Sequence, residues 1–290
     1  MNYLITILLT FVTGTAFACS EDGKTGFLPE NDLFIPVGLK TAGGLTASQF
    51  NAVIDKIETI YSPIMAEMGG KLIINRRWDD GTVNASALRI GGWVVNMYGG
   101  LARHETMTED GFALVLCHEI GHHLGGAPKV SGLPTPDAWP SNEGQSDYFA
   151  TLKCLRKTFL NDDNIGIVKK SSHTISLALL DACVNAWSED EDLAICIRSG
   201  MAGISVARLF AALRNQPEAK FETPHTKVVT KVDDSHPSHQ CRLDTFLQGS
   251  LCEVGFNEDL SQKDEVQGTC HGSLGHTKGL RPLCWFKPKM

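Results

Sequence analysis

His118-Glu119-Ile120-Gly121-His122 sets two imidazoles four residues apart, with a carboxylate next to the first. On a helix of 3.6 residues per turn, such positions return to one face with an offset of about 40°, so both rings can reach a single cation. Glu119 sits beside them, within reach of a water on that cation. Zinc lowers the pKa of its water to about 7, and a neighbouring carboxylate then serves as general base. The chemistry of such a set is metal-assisted hydrolysis. Five residues alone also fit an ordinary helix with two histidines, so a third ligand has to be found. A third histidine six residues beyond His122 would extend the motif, but Pro128 stands there. Downstream, Asn142-Glu143-Gly144-Gln145-Ser146-Asp147 opens a helix in which Glu143 and Asp147 share a face. Glu143 is the expected third ligand. Asp147 is the expected carboxylate behind a ligand imidazole, accepting its second N–H and fixing its tautomer. Acids at a helix start also complement the helix dipole, so these two gain a metal-binding meaning from the motif before them. The expected cofactor is one Zn2+ per chain.

The elements that must carry these groups have sequence marks of their own. Thr106 with Glu109 reads as a capping box, Phe112, Val115 and Leu116 as an apolar face, and Gly125 as the stop of the motif helix. A loop with Pro128, Pro134, Pro136 and Pro140 follows, until Ser141 or Asn142 caps a helix from Glu143 to about Lys157. Upstream, the three-and-four spacing of Phe50, Val53, Ile54, Ile57, Ile60, Tyr61, Ile64 and Met65 predicts an amphipathic helix over 46–68, with Pro63 inside it. Residues 72–75, 83–90 and 93–98 read as short strands between Asp80-Gly81 and Gly91-Gly92 turns, forming a small antiparallel sheet. Helical stretches over 174–187 and 192–213 complete the body. The expected fold class is α+β, mainly helical, with the sheet beside the motif helix and an irregular, disulfide-held C-terminal tail.

The 290 residues, 42% hydrophobic and 20% charged, are enough for a sizeable core. A net charge of −7 without a basic cluster excludes nucleic acid as a partner on electrostatic grounds. Residues 1–18 read as a secretory signal peptide, with an apolar stretch from Leu4 to Val12 and an Ala16-Phe17-Ala18 cleavage site. The expected domains are that signal, a catalytic domain over 19–255 and a Cys-containing tail over 256–290. Export to the periplasm or outside the cell follows, with membrane contact only if Cys19 is lipidated. Nine cysteines suit an oxidising compartment. With Cys19 set aside, about 105 pairings are open; Cys241 with Cys252 and Cys270 with Cys284 are the local ones. The spacing says nothing of oligomeric state.

The chain resembles the gluzincin zinc peptidases, and more closely the CAAX prenyl endopeptidase and heat-shock membrane protease family with its soluble exported members. The resemblance spans roughly Leu72 to Leu247, through Val83-Asn84-Ala85, Gly91-Gly92-Trp93-Val94-Val95, Met107-Thr108-Glu109-Asp110, the motif itself, Glu143 with Asp147, and Ser235-His236-Pro237-Ser238 with Arg242. It implies a zincin-like domain that cuts peptide bonds, with protein or peptide substrates in the cell envelope. It implies that Asn84 and Ala85 edge the cleft and bind a substrate backbone, and that His236 stabilises the oxyanion. The remaining histidines lack ligand spacing and are expected to be structural or exposed. The alternatives are a catalytically inactive zinc-binding chaperone or binding module, and a disulfide-stapled adhesion or inhibitor domain.

Overall fold

A computed structural model describes residues 26–39, 43–131 and 139–289; the expected signal segment and Cys19 lie outside them. Helix α1 (Ala47–Glu67) begins where Thr46 and Gln49 cap one another, and it buries Phe50, Ile54, Ile57, Tyr61 and Met65, with Pro63 accommodated inside. Strands β1 (Leu72–Arg77), β2 (Ala85–Arg89) and β3 (Trp93–Tyr98) follow. They form one sheet in the order β1-β3-β2. The sheet is mixed, and here the expectation of an antiparallel sheet is corrected: β2 pairs with β3 antiparallel, but β1 pairs with β3 in parallel. The reason lies at Asp80-Gly81, where the chain makes no hairpin. Its backbone is taken instead by the N-terminal segment, with Ile35 N–H donating to the Gly81 carbonyl at 2.7 Å and Val83 N–H to that of Leu33 at 3.3 Å.

A short helix α2 (Gly99–Arg103) leads to α3 (Glu109–Leu124), which carries the motif. Thr108 is its cap, accepting from Gly111 N–H at 3.0 Å, while Thr106 bonds to His104 Nδ1 at 2.9 Å. The start therefore lies at Thr108 and not in a Thr106 capping box. Every residue of α3 from Gly111 on is buried, which is why its apolar pattern runs all round rather than along one stripe. Asn142 caps α4 (Glu143–Phe149) by accepting from Gln145 N–H at 2.9 Å. A π turn over Ala150–Cys154 and α5 (Leu155–Phe159) continue it, close to the expected helix.

Four helices complete the body: α6 (Asn164–Lys170), α7 (Leu177–Ala186), α8 (Asp190–Arg214) and α9 (His239–Leu251). Helix α8 is long and apolar enough to cross a membrane, but most of it is buried against α3, α6, α7 and α9. The tail beyond α9 is irregular, as expected, and packs Trp285 and Phe286 against Tyr148 and Leu152. Four disulfides staple the fold: Cys117–Cys154, Cys183–Cys196, Cys241–Cys284 and Cys252–Cys270. The last two correct the local pairings expected from sequence. The tail folds back over α9, where Trp285 Nε1 donates to Thr245 Oγ1 at 3.0 Å, and this brings Cys284 to Cys241.

Candidate metal centre

Helices α3 and α4 meet at Gly121 inside the motif, where a Cβ would lie 3.0 Å from both the Cα and the carbonyl oxygen of Ser146. A larger residue would hold the helices apart. The close approach brings Glu143 to the two histidines: one carboxylate oxygen is 3.4 Å from His118 Nε2 and the other 3.6 Å from His122 Nε2. All three residues are buried, and their ligand atoms fall within 4.8 Å of one another. Donors in a tetrahedral zinc shell at about 2 Å from the metal sit roughly 3.3 Å apart, close to these spacings. His118 Nε2, His122 Nε2 and Glu143 Oε2 have no hydrogen-bond partner. Since buried polar atoms left unpaired are costly, three that converge are what a metal site needs. The group could hold a metal ion.

The atoms behind these ligands are well satisfied. His118 Nδ1 donates to Asp147 Oδ1 at 2.7 Å, which leaves Nε2 as the lone-pair nitrogen facing Glu143. The same carboxylate oxygen accepts from Arg242 Nη2 at 2.6 Å. His122 Nδ1 donates to the Ser141 carbonyl at 2.9 Å, with Ser146 Oγ 3.1 Å away. Both rings thus point the same nitrogen inward.

Electrostatics follow from burial and these neighbours. Burial opposes charge on His118, but Asp147 and Glu143 outweigh it and lift its pKa to about 9. Burial dominates at His122 and lowers it to about 4. Burial alone would raise Glu143, yet His236, His118 and His122 hold it well below the ordinary carboxylate range. Ligand protons and a cation compete for these same sites. Glu119 is fully buried, and neither of its oxygens has a partner. Burial pushes its pKa to about 8, against the pull of His118.

The remaining expected residues gather at the same place. His236, in the loop before α9, has Nε2 3.4 Å from Glu143 Oε1. Asn84 precedes β2 and Ala85 begins it, in a strand that packs against α3. Their polar atoms are engaged by the chain's own residues 27 and 28: Ala85 O accepts from Phe27 N–H at 2.9 Å, and Asn84 Oδ1 from Leu28 N–H at 2.9 Å. Sequence reasoning assigned no role to Arg242, Ser146 or the segment Gly26-Phe27-Leu28, and offered Ser141 only as a helix cap, a place that Asn142 takes. Arg242 stood only at the end of a matched string, and nothing in its spacing marked it as the partner of Asp147. His123, one residue past the second ligand, is buried elsewhere, stacked between Trp93 and Trp139 with ring centroids 5.5 and 4.8 Å away.

Comparison with protein-family models, curated proteins and solved structures finds no match to the chain.

Proposed function

We propose that the chain is an exported zinc metalloendopeptidase of zincin-like fold, related to the gluzincins it resembles, with peptide bonds of cell-envelope proteins as substrates. The carrying observation is the convergence of three unpartnered, buried ligand atoms beside a carboxylate that is also buried and unpartnered. Two imidazole nitrogens and one carboxylate form a donor set that suits zinc, with a fourth position left for water or substrate. A binding site alone has no use for Glu119 in that place. The four disulfides fit an oxidising compartment.

When bound, zinc supplies Lewis acidity to the scissile carbonyl and acidifies a water. Glu119 takes the proton from the attacking water and returns it to the leaving amine. His236 Nε2 donates to the carbonyl oxygen as that atom gains charge. Asn84 and Ala85 hold the substrate backbone at the edge of β2. Asp147 and Arg242 keep His118 in one tautomer and one orientation.

The test is metal content and peptide hydrolysis on the same samples. Wild-type protein should carry one zinc per chain and cleave an unfolded protein substrate. Glu119→Gln should keep the zinc and lose at least about a hundredfold in turnover, the scale of a missing general base. Full activity in Glu119→Gln would remove the assigned base. One zinc per chain with no hydrolysis by the wild type would favour the binding-module alternative.

A further inference from the structure

Gly26, Phe27 and Leu28 lie beside the candidate centre, and the groups assigned to substrate hold them. His236 Nε2 donates to the Gly26 carbonyl at 2.6 Å, beside Glu143. Phe27 N–H donates to the Ala85 carbonyl at 2.9 Å, and the Phe27 carbonyl accepts from Arg242 Nη1 at 3.0 Å. Leu28 N–H donates to Asn84 Oδ1 at 2.9 Å, while Asn84 Nδ2 donates back to the Leu28 carbonyl at 3.2 Å. The Gly26 N–H turns inward to the same Leu28 carbonyl at 3.3 Å, so the segment is bent. All six backbone polar groups of three successive residues are thereby paired.

The side chains are held as firmly. Phe27 is fully buried, its ring edge-on to the His118 imidazole at 4.8 Å and to Phe210 at 5.4 Å, with the Arg242 guanidinium over it at 4.2 Å. A Cβ on Gly26 would come within 2.0 Å of the Ala85 carbonyl oxygen, so glycine alone passes there. A segment that merely strapped the fold would have no need to lay a carbonyl on His236 or an aromatic ring against a metal ligand.

We propose that this arm is the site's own substrate, cut in the same molecule between Gly26 and Phe27. The inference rests on the metalloendopeptidase reading of the site. In the step, the water oxygen bonds to the Gly26 carbonyl carbon, and the bond from that carbon to the Phe27 nitrogen breaks. One water proton passes through Glu119 to the Phe27 amine; the products are a Gly26 carboxyl group and a Phe27 amino terminus. Only water is consumed. Cleavage frees the His236 side of the site; Phe27 and Leu28 must then leave Ala85, Asn84 and Arg242 before another peptide can enter, so self-cleavage precedes turnover of added substrate. The site's preferred bond accordingly has a small residue on its carbonyl side and a large aromatic one on its amine side.

The experiment follows the intact mass and amino-terminal sequence of the full chain after zinc loading, with hydrolysis of an added peptide containing Gly-Phe-Leu measured in parallel. The expected product begins at Phe27 and forms at a rate that does not change on about tenfold dilution, as a reaction within one molecule requires. Glu119→Gln should keep the bond intact. Gly26→Val, whose Cβ would meet the Ala85 carbonyl oxygen, should displace the arm from the site, slow self-cleavage at least tenfold and leave hydrolysis of the added peptide at or above the wild-type rate. In metal-free Glu119→Gln, hydrogen exchange at the Phe27 and Leu28 amides should be at least tenfold slower than in the same protein carrying Gly26→Val. Protein that hydrolyses the added peptide while its Gly26–Phe27 bond stays whole overturns the proposal, as does rapid exchange at both amides. If zinc is bound and neither bond is cut, the peptidase reading itself falls, and this inference with it.

Discussion

Arg242 Nη2 donates to Asp147 Oδ1 across 2.6 Å, and neither side chain has any exposure to solvent. The same carboxylate oxygen accepts from His118, so a cation on α9 and a candidate metal ligand on α3 share one acid on α4. Breaking a buried pair by removing one partner costs about 3–5 kcal/mol, since the other charge is left behind. Arg242→Met should therefore lower the urea midpoint substantially, and Arg242→Lys should not restore it, because a single ammonium cannot serve both Asp147 and the Phe27 carbonyl. Asp147→Asn should weaken zinc binding by about 10–100-fold, read by competition with a chelator. Unchanged affinity in that variant would show that His118 keeps its orientation unaided.

Glu143 is the residue on which the proposed metal set is most directly tested. Glu143→Ala removes the third donor, and purified protein should then hold well under one zinc per chain while keeping its far-UV circular dichroism. Its carboxyl lies next to three imidazoles, so wild-type levels of zinc in Glu143→Ala would mean that His236 can take its place.

Lys129 carries a pH dependence of stability. Its ammonium donates to the Trp139 carbonyl at 3.0 Å and to Gln262 Oε1, and burial together with Arg89 pushes its pKa down to about 7. The unfolded chain, with lysine near its ordinary pKa of about 10.4, binds more protons between these two values. Stability must then rise as pH increases from about 7 towards 10. Burial likewise lowers Lys153 to about 8, so the informative quantity is the difference between wild type and Lys129→Met. Urea midpoints at pH 7 and pH 9 should show a smaller rise in the variant. An equal rise in both would place the Lys129 charge in solvent.

The Cys241–Cys284 bridge ties α9 to the tail. Replacing both cysteines by serine should cost about 2–5 kcal/mol, the usual loss for a native disulfide. Differential scanning calorimetry under oxidising conditions would detect it. A melting temperature within a degree of the wild type would mean that the packing of Trp285 and Phe286 fastens the tail by itself.

Much of the helical frame is legible in single residues. The spacing of Phe50, Ile54, Ile57, Tyr61 and Met65 marks α1, and those are the residues it buries. The four-residue intervals in His118–His122 and Glu143–Asp147 bring the right atoms to the right faces, because a helix turns a local spacing into a spatial one. Relations that no local period encodes are illegible. Strand β1 runs parallel to β3 because residues 33–35 occupy the Asp80-Gly81 backbone, and the disulfides of the tail follow from where Trp285 docks. Helix α9 escapes notice for another reason: its buried positions include Arg242 and Thr245, so it lacks an apolar stripe. The contact of His236 with Gly26 spans 210 residues, and no sequence period reaches that far.

Trp285 lies against Gly144, where a Cβ would come within 2.1 Å of the indole. Gly144, next to the candidate ligand Glu143, is thus braced by an aromatic ring from a distant part of the sequence. During synthesis both histidines emerge long before Trp285, so the candidate metal site gains this brace only after that residue has been made. Products ending before Trp285 should lose zinc to a chelator faster than the protein that carries it, so the grip on metal would report whether the segment around Trp285 is in place.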